Sequence, residues 1–356
     1  MLFDAFQLGA LSLANRVVMS PMTRGRAVDH NTANAMMASY YAQRASAGLI
    51  ITEGISPSPN GLGYARIPAL YTAEHAEAWK AVTEAVHAQG GKIVAQIMHT
   101  GRVTHTDNLP AGARVVSPTA EVLAGEMYTD SQGMQPHSPP QAMSEQDIAD
   151  AVAEYTLCAQ LAVDAGFDGI ELHAANGYLL EQFLNANVNH RADAYGGSAS
   201  GRNALVLEVA RAAAATIGAE RVGIRLSPYG VFNHTGEFAG VETQYLELVN
   251  ALSEMGLLYL HVLDHSAMGA PAVPAAFKAR LRAAFNGVFI LAGGFDAASA
   301  EAALREQQAD LIGFGRPFIA NPDLVARMQS GTALATADAS KFYAGGETGY
   351  TDYKTA

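Results

Sequence analysis

The stretch GFDGIELHAANGYLLEQFL, residues 166–184, joins a short apolar run directly to a polar cluster. Residues 170–174 follow a Gly-Phe-Asp-Gly turn, a pattern typical of a buried parallel strand that is entered from a helix. His173, Asn176 and Tyr178 then fall at the predicted carboxyl end of that strand. Two hydrogen-bonding groups and a phenol at one strand end indicate a functional site. The alternative, that the three side chains only satisfy backbone groups of a long loop, is open at this point.

Similar strand-like runs alternate with helical patterns on both sides of this stretch. The eight predicted strands are 16–24, 49–53, 92–99, 170–174, 221–228, 257–263, 287–294 and 310–315. The predicted helices are 32–47, 73–89, 144–165, 201–217, 241–255, 274–284, 297–308 and 324–328. Eight strands in strict alternation with helices predict an α/β fold, namely a closed (β/α)8 TIM barrel rather than an open sheet. No G-x-G-x-x-G dinucleotide fingerprint follows the first strand.

Two segments fall outside this alternation. Residues 3–13 contain two short apolar segments separated by a Gly-Ala pair, which predicts an N-terminal hairpin that plugs one end of the barrel. Residues 100–143 contain several prolines and show no clear period. A stretch of that length in a compact domain is usually functional, so we expect a lid or capping segment over the barrel mouth, with a hairpin around Val115 and Val122.

Composition limits the class of protein. The 356 residues, 49% hydrophobic and 16% charged, suit one large barrel domain spanning residues 1–356. A net charge of −12 without a basic block argues against a nucleic-acid partner. There is no apolar run of membrane-spanning length and no signal-peptide pattern, so we expect no membrane association and a cytoplasmic location. The single cysteine, Cys158, excludes an internal disulfide and a cysteine-ligated cluster.

The carboxyl ends of the predicted strands carry the chemically informative residues, as is usual in this fold. In chain order these are Pro21 and Thr23, Glu53 and Gly54, Gln96 and His99, His173 with Asn176 and Tyr178, Arg225, Gly293 and Gly294, and Gly315 and Arg316. The glycines of the last two loops let backbone N–H groups approach an anion closely, and Arg316 adds a positive charge. These two loops therefore predict a phosphate site.

A heterocycle attached to that phosphate would explain two further residues. Gln96 offers both a donor and an acceptor, which suits a ring edge with alternating N–H and C=O groups. Arg225 is a fixed cation that would stabilise negative charge on a reduced ring. A phosphate, an imide-like edge and a cation together suggest flavin mononucleotide (FMN). Two alternatives are open: Gln96 bridges strands, or Arg225 pairs with Glu53 or Glu171 inside the barrel.

Motifs along nearly the whole chain resemble one family. They are NR at 15–16, SPMTR at 20–24, Gln96 with HTGR at 99–102, HAANGYLL at 173–180, Arg191 with Asp193 and YGGS at 195–198, RLSP at 225–228, AGGF at 292–295, GFGRP at 313–317 and GYTDY at 349–353. Together they resemble the old yellow enzyme family of FMN-dependent ene-reductases, in the N-ethylmaleimide reductase-like branch that has a His-x-x-Asn pair. The resemblance implies FMN as cofactor and NADPH or NADH as electron donor.

The resemblance also implies roles in cofactor binding for residues at the strand ends. The implied set is Pro21, Thr23, Gly54, Gln96, Arg225, Gly293, Gly294, Gly315 and Arg316. Within it Thr23 would bind near flavin O4, while Pro21 and Gly54 would line the isoalloxazine. Gln96 and Arg225 would hold the pyrimidine edge, and the remaining residues would bind phosphate.

For catalysis the resemblance implies a ping-pong reaction in which NAD(P)H first reduces the flavin and leaves. An activated alkene, such as an α,β-unsaturated carbonyl, a maleimide or a nitroalkene, would then bind the same face. His173 and Asn176 would hydrogen-bond its oxygen, because hydride addition builds up negative charge there. Flavin N5 would give hydride to Cβ, and Tyr178 would deliver a proton to Cα.

Three further residues would flank the substrate. The resemblance places Tyr64 and Tyr343 beside the substrate cavity. Near relatives often carry a Trp at the position of Met98, and a flexible thioether there predicts a larger or more adaptable pocket.

Two alternative functions remain at this level. One is a metal-dependent barrel lyase or hydrolase that uses His99, His173 and Glu171. The other is a non-catalytic flavin-binding stress protein. For the ene-reductase that the motifs resemble, we expect a small-molecule activated alkene as substrate and a monomer or small homo-oligomer.

Overall fold

The computed structural model describes residues 1–343 and 345–355. Ala344 and Ala356, which fall inside the expected domain range 1–356, lie outside the described residues. The strands are β1 (Phe6–Leu8), β2 (Leu11–Leu13), β3 (Val17–Met19), β4 (Leu49–Ile55), β5 (Ile93–Ile97), β6 (Val116–Ser117), β7 (Glu126–Thr129), β8 (Gly133–Pro136), β9 (Gln141–Ala142), β10 (Gly169–Ala174), β11 (Val222–Leu226), β12 (Tyr259–Leu263), β13 (Val288–Ala292) and β14 (Leu311–Phe314).

The helices lie mainly between barrel strands. They are α1 (Ala35–Ala42), α2 (Ala73–Ala88), α3 (Glu145–Asp164), α4 (Leu179–Leu184), α5 (Ala199–Ile217), α6 (Val241–Glu254), α7 (Ala275–Ala284), α8 (Ala297–Arg305), α9 (Pro317–Ala320) and α10 (Leu324–Ser330). The helix expected over 32–47 is shorter, because the Asn34 side chain accepts hydrogen bonds from the N–H groups of Met36 and Met37 and so caps the start of α1.

A closed parallel barrel confirms the predicted (β/α)8 architecture. Its strands follow chain order around the ring, β3, β4, β5 and then β10 to β14, and β14 pairs with β3 to close it. Every neighbouring pair is parallel, and β10 lies between β5 and β11. In this register His173 lies opposite Arg225, which lies opposite His261. Polar residues from three adjacent strands therefore meet near one end of the barrel.

Alternation along β10 separates the helix-facing core from the barrel interior. Ile170 and Leu172 are fully buried in the large cluster that the helices share, whereas Glu171 and His173 point to the other side of the strand. A second cluster fills the amino end of the barrel, where Leu8 and Leu13 of the β1–β2 hairpin pack with residues such as Val94. The hairpin thus plugs that end as predicted.

The segment 100–143 contains a hairpin at a different place from the one expected. The antiparallel pair is β7 with β8, whereas β6 pairs with β9 in parallel, so the prediction of a hairpin around Val115 and Val122 is wrong. Pro118 removes a backbone donor just after β6, and Gly133, at φ +73°, supplies the left-handed position that the β7–β8 turn requires. Strand-like composition near Val115 was therefore less informative than the turn residues.

Candidate active site at the carboxyl end of the barrel

A cavity of about 660 Å³ opens at the carboxyl ends of the barrel strands. Most of the residues expected at the site line it, namely Pro21, Thr23, Tyr64, Asn176, Tyr178, Arg225, Gly293, Gly294, Gly315, Arg316 and Tyr343. The other four, Gly54, Gln96, Met98 and His173, are buried and do not line it in the described part of the chain. The fold thus brings together residues that are more than 300 positions apart in sequence.

His173, Asn176 and Tyr178 form one polar group, in which Asn176 and Tyr178 line the cavity and His173 lies buried against them. The rings of His173 and Tyr178 meet edge to face with 5.0 Å between centroids. The Asn176 Nδ2 atom lies 3.5 Å from His173 Nε2. The Tyr178 hydroxyl donates a hydrogen bond to the Tyr64 hydroxyl at 3.1 Å. The helix α4 begins directly after Tyr178, where the sequence indicated no helix, and fixes the end of this group.

The backbone of Asn176 is held in a left-handed conformation by buried partners. Its φ is +60°, and that of Gly177 is +74°. The Asn176 N–H donates to Ser227 Oγ at 2.9 Å, and its carbonyl accepts from Asn233 Nδ2 at 2.7 Å. The Gly177 N–H donates to Glu181 at 2.6 Å. Such residues persist only where their surroundings determine them fully, so the turn aims the Asn176 side chain into the cavity.

Burial fixes the protonation states of the same group. It raises the pKa of Tyr178 well above the usual value of a phenol, and the neighbouring Tyr64 adds to the shift. Burial lowers the pKa of His173 well below its usual value, and the positive charge of Arg225 lowers it further. At neutral pH the site therefore presents a protonated phenol beside an uncharged imidazole.

A buried carboxylate links three strands beneath the cavity. Gln96 Nε2 donates to Glu171 Oε1, and His261 Nδ1 lies at the same 2.8 Å from Glu171 Oε2. Burial alone would raise the pKa of Glu171, but His261 and the Arg225 cation hold it below its usual value. Gln96 therefore bridges β5 and β10, which is one of the two alternatives that the sequence analysis left open. Its side-chain oxygen has no hydrogen-bond donor among the described residues.

Arg225 faces the cavity without a protein anion. Only 5% of this residue is exposed, yet its guanidinium makes no hydrogen bond or ion pair with the described residues. Burial lowers the pKa of Arg225, while the charge of Glu171 opposes that shift from a distance. Because a buried cation is costly without a partner, the arrangement suits a ligand that carries negative charge or strong acceptors.

The last two βα loops present bare backbone to the cavity. Gly293 and Gly294 have φ values of +143° and +75°. A Cβ atom at Gly293 would lie 2.4 Å from the Asp264 carbonyl oxygen, so a side chain does not fit there. At Gly315 a Cβ atom would make only ordinary contact, with Met22 Sδ at 3.7 Å. Arg316 is exposed beside these loops, and among the described residues its guanidinium contacts only Met268 Sδ, at 3.5 Å.

His265 is a functional candidate that the sequence analysis did not name. It follows the end of β12 and lines the cavity, and its Nε2 atom lies 2.9 Å from Asn176 Oδ1. His265 lies two residues beyond the predicted sixth strand, 257–263, so its position at a strand end was a usable signal in the sequence. Asn233 and Phe232, from the loop after β11, also line the cavity and left no recognisable signal in the sequence.

Met98 fills the space next to Gly54. A Cβ atom at Gly54 would lie 2.5 Å from Met98 Sδ. Met98 is only 1% exposed and packs with Leu62 and Ile67. The expectation that Met98 enlarges or softens the pocket stays a prediction, since it depends on how this flexible side chain moves.

The residues of the metal-dependent alternative do not converge. Glu171 is engaged by Gln96 and His261, while His99 Nδ1 accepts from the Gly101 N–H at 3.0 Å. Within residues 1–343 and 345–355 no three His, Cys, Asp or Glu side chains are arranged to hold a metal ion. In the same ranges no helix is both long and apolar enough to cross a membrane.

The last two βα loops face a phenol, an imidazole and an amide across the mouth of a (β/α)8 barrel. This arrangement suits a flavin-dependent oxidoreductase. Residues 1–335 match the model of the NADH:flavin oxidoreductase / NADH oxidase family. The chain belongs to this family, the old yellow enzyme family, and is an ene-reductase-type enzyme with FMN as cofactor.

Individual relatives match over almost their entire length. A chanoclavine-I aldehyde reductase of Penicillium roqueforti is 40% identical, covering 99% of this chain and 95% of the relative. A probable flavin mononucleotide-dependent alkene reductase of Leishmania infantum is 39% identical, covering 97% and 95%. The solved structure of morphinone reductase in complex with tetrahydroNAD is 42% identical with a TM-score of 0.94, covering 100% of this chain and 97% of that one.

Proposed function

We propose that this enzyme reduces the activated C=C bond of small α,β-unsaturated carbonyls, maleimides or nitroalkenes with electrons from NADPH or NADH. One observation carries the proposal. The Tyr178 phenol, which burial keeps protonated, shares a cavity with the partnerless Arg225 cation. A proton donor and an anion-binding group facing one cavity suit a reaction that adds hydride and a proton to an alkene.

The described residues fit FMN. Arg225 has no ion pair with the described residues and would donate to acceptor atoms of the flavin ring, while the free side-chain oxygen of Gln96 would accept from a ring N–H. Arg316 and the bare backbone of Gly293, Gly294 and Gly315 would bind the phosphate. Pro21 and Thr23 would line the ring face. The chemistry that these residues would gain from FMN is hydride donation from N5 to the alkene Cβ, once NAD(P)H has reduced the flavin.

His173 and Asn176 would polarise the alkene through its oxygen. The Asn176 Nδ2 and His173 Nε2 atoms lie 3.5 Å apart, close enough to share one acceptor atom. Because His173 is uncharged, one of its ring nitrogens carries a proton and can donate it in a hydrogen bond. Asn176 would add a second donor. Paired donors stabilise the negative charge that develops on the oxygen as Cβ is reduced.

Tyr178 would deliver the proton to Cα. Its high pKa keeps the hydroxyl protonated, and the Tyr64 hydroxyl at 3.1 Å is placed to return a hydrogen bond to the phenolate that forms. Tyr343 is 61% exposed at the rim of the cavity, where it would contact the outer part of a substrate. Met98 would reach the substrate only after a change of rotamer.

The names of relatives support this substrate class. One relative is called an alkene reductase and another an aldehyde reductase. A structural neighbour binds tetrahydroNAD, which supports a nicotinamide in the same cavity before the alkene enters. We also propose a single domain, a capping role for residues 100–143, a cytoplasmic location and a monomer or small homo-oligomer.

Replacing Tyr178 by Phe tests the assigned proton donor. The rate at which 2-cyclohexenone reoxidises the reduced flavin should fall by roughly 100-fold or more, because general acid catalysis typically contributes 10²–10⁴-fold. Flavin reduction by NADPH should change by less than about 3-fold, because that step needs no proton from the phenol. Anaerobic stopped-flow spectroscopy of each half-reaction gives both rates.

Equal slowing of both half-reactions would refute Tyr178 as the dedicated donor. Slow turnover of every activated alkene by the unaltered enzyme, despite tightly bound FMN, would instead favour the non-catalytic flavin-binding alternative.

A further inference from the structure

The Asn176 side chain can serve a substrate oxygen in only one of its two orientations. Its NH2 end is a donor and its oxygen end is an acceptor, and only the donor end stabilises an oxygen that becomes negative. A half-turn about the last side-chain bond would exchange the two ends. Something must therefore hold the amide oxygen away from the substrate.

His265 contacts the end of the amide that must face away. Its Nε2 atom lies 2.9 Å from Asn176 Oδ1, whereas Asn176 Nδ2 lies on the side of His173. His265 reaches Asn176 from the loop after β12, so the contact joins two different strand ends. A hydrogen bond of this length from an imidazole N–H leaves the NH2 group as the end available to a substrate.

The surroundings of His265 favour the tautomer that can donate. Burial lowers the pKa of His265 to about 4, and the nearby Arg225 cation adds to the shift, so the ring is neutral at pH 7. His265 Nδ1 is buried and has no hydrogen-bond partner among the described residues. A neutral ring with its proton on Nε2 uses that proton on Asn176 and leaves only an acceptor unsatisfied, which costs less than an orphaned N–H.

The ring itself is held in place. Phe232 packs on it with 4.6 Å between ring centroids, and His265 is only 3% exposed. Asp264, the preceding residue, anchors the loop by accepting from the Ser266 N–H and from Lys278 Nζ. His265 thus sits in a rigid setting, as a residue that orients another must.

We propose that His265 is a positioning residue for alkene binding, which fixes the Asn176 amide so that its NH2 group faces the substrate oxygen. The proposal rests on the ene-reductase function proposed above and specifies how its donor pair is assembled. His265 acts through Asn176 and does not itself bind the oxygen.

A double-mutant cycle on the oxidative half-reaction tests this role. His265→Leu removes the donor, and His265→Gln keeps an N–H that can reach the amide oxygen. Asn176→Gly removes the amide and tolerates the left-handed backbone. Each variant, loaded with FMN and reduced by dithionite, is mixed with increasing concentrations of 2-cyclohexenone, which gives the half-saturation concentration and the limiting rate.

We expect His265→Leu to lower the second-order rate constant of alkene reduction about 10-fold, because one well-oriented hydrogen bond is lost. Most of this decrease should come from a higher half-saturation concentration. His265→Gln should recover to within about 3-fold of the parent. In the Asn176→Gly background His265→Leu should have no further effect, because the amide it orients is absent. Equal effects in both backgrounds, or no effect in either, would overturn the proposal.

A stability cycle separates this proposal from the function on which it rests. If no activated alkene, neither 2-cyclohexenone nor a maleimide or nitroalkene, reoxidises the unaltered reduced enzyme, the proposed function fails. The urea unfolding of four apoproteins, namely the parent, His265→Leu, Asn176→Gly and the variant with both substitutions, still measures whether His265 and Asn176 are coupled. If the two substitutions change the unfolding free energy in a strictly additive way, His265 and Asn176 are not hydrogen-bonded to each other. The positioning role would then be refuted, whatever the substrate.

Discussion

The two walls of the cavity differ in how their polar groups are satisfied. On the donor side (Tyr64, His173, Asn176 and Tyr178) the phenols bond to each other and Asn176 bonds to His265. On the cation side (Arg225, Arg316 and the glycines 293, 294 and 315) no ion pair with the described residues holds either guanidinium. The protein thus organises the donor side by itself, whereas in the proposed function FMN would complete the cation side.

Because of this difference, we expect substitutions on the two sides to change different properties of the protein. A change on the donor side breaks contacts within the protein, so it should alter folding stability or substrate chemistry while FMN affinity stays the same. A change on the cation side removes groups without protein partners, so it should alter FMN affinity and leave the apoprotein's stability intact. The effects below are ordered from the largest to the smallest.

Glu181→Gln probes the buried network under the donor side. Glu181 accepts from the Gly177 N–H, from Ser227 Oγ at 3.1 Å and from the Tyr245 hydroxyl at 3.3 Å. Burial raises its pKa from 4.5 to about 8, although these bonds oppose the shift. A raised folded-state pKa stabilises the protein below pH 4.5, and this stabilisation is lost as the pH rises through about 8.

The Gln variant should therefore lose this pH dependence. The difference between a pKa of 4.5 and a pKa of about 8 corresponds to at most about 5 kcal/mol of unfolding free energy. Urea unfolding of the apoprotein at several pH values from 4 to 9 measures it, with the exposed Glu84→Gln as control. FMN affinity should change by less than about 2-fold. A parallel pH dependence in the parent and the Glu181 variant would show that Glu181 does not titrate in this range.

Arg225→Leu probes the centre of the cation side. FMN affinity should fall by about 100-fold, since hydrogen bonds to a charged group contribute about 1.5–3 kcal/mol each. The melting temperature of the apoprotein should not fall, because no bond to the described residues is lost. Arg225→Lys, which keeps the charge, should lose less affinity. Fluorescence titration with FMN and thermal unfolding provide the two values.

An apoprotein that melts at least several degrees lower, with FMN affinity unchanged, would place Arg225 in an internal ion pair with Glu171. The distinction between the two sides would then be lost at its most important residue.

Arg316→Ala should give the smallest effect, because this side chain is exposed and its charge is screened. We expect FMN affinity to fall by about 10-fold, and by less in 0.5 M salt, while apoprotein stability stays the same. Arg305→Ala is the matched control, since Arg305 is also exposed but pairs with Glu301 on α8. Equal changes in FMN affinity for both variants would remove Arg316 from the phosphate site.

The sequence was sufficient for the barrel and for most cavity residues because both depend on chain order. Strand alternation determines which strands are neighbours, and parallel strands bring their carboxyl ends to one mouth. This is why Pro21, Arg225 and Gly294 could be placed together from positions far apart. The N-terminal plug followed from its apolar pairs in the same way.

The remaining features depend on the paths of loops and on side-chain conformations. The contact between His265 and Asn176 joins two loops whose approach no local pattern encodes, although the position of His265 after a strand was a usable signal. The burial of Met98 over Gly54 depends on a rotamer, and the β7–β8 hairpin depends on Gly133. Such details are settled by three-dimensional packing and not by periodicity.

The most direct test of the account is an absorption spectrum of the purified, FMN-loaded protein under nitrogen, recorded before and after NADPH and again after 2-cyclohexenone. We predict a flavin band that bleaches with NADPH and returns with the enone, in proportion to the enone added. A band that bleaches but does not return with any activated alkene would contradict the ene-reductase function. No flavin band after reconstitution with FMN would contradict the assignment of the cation side as well.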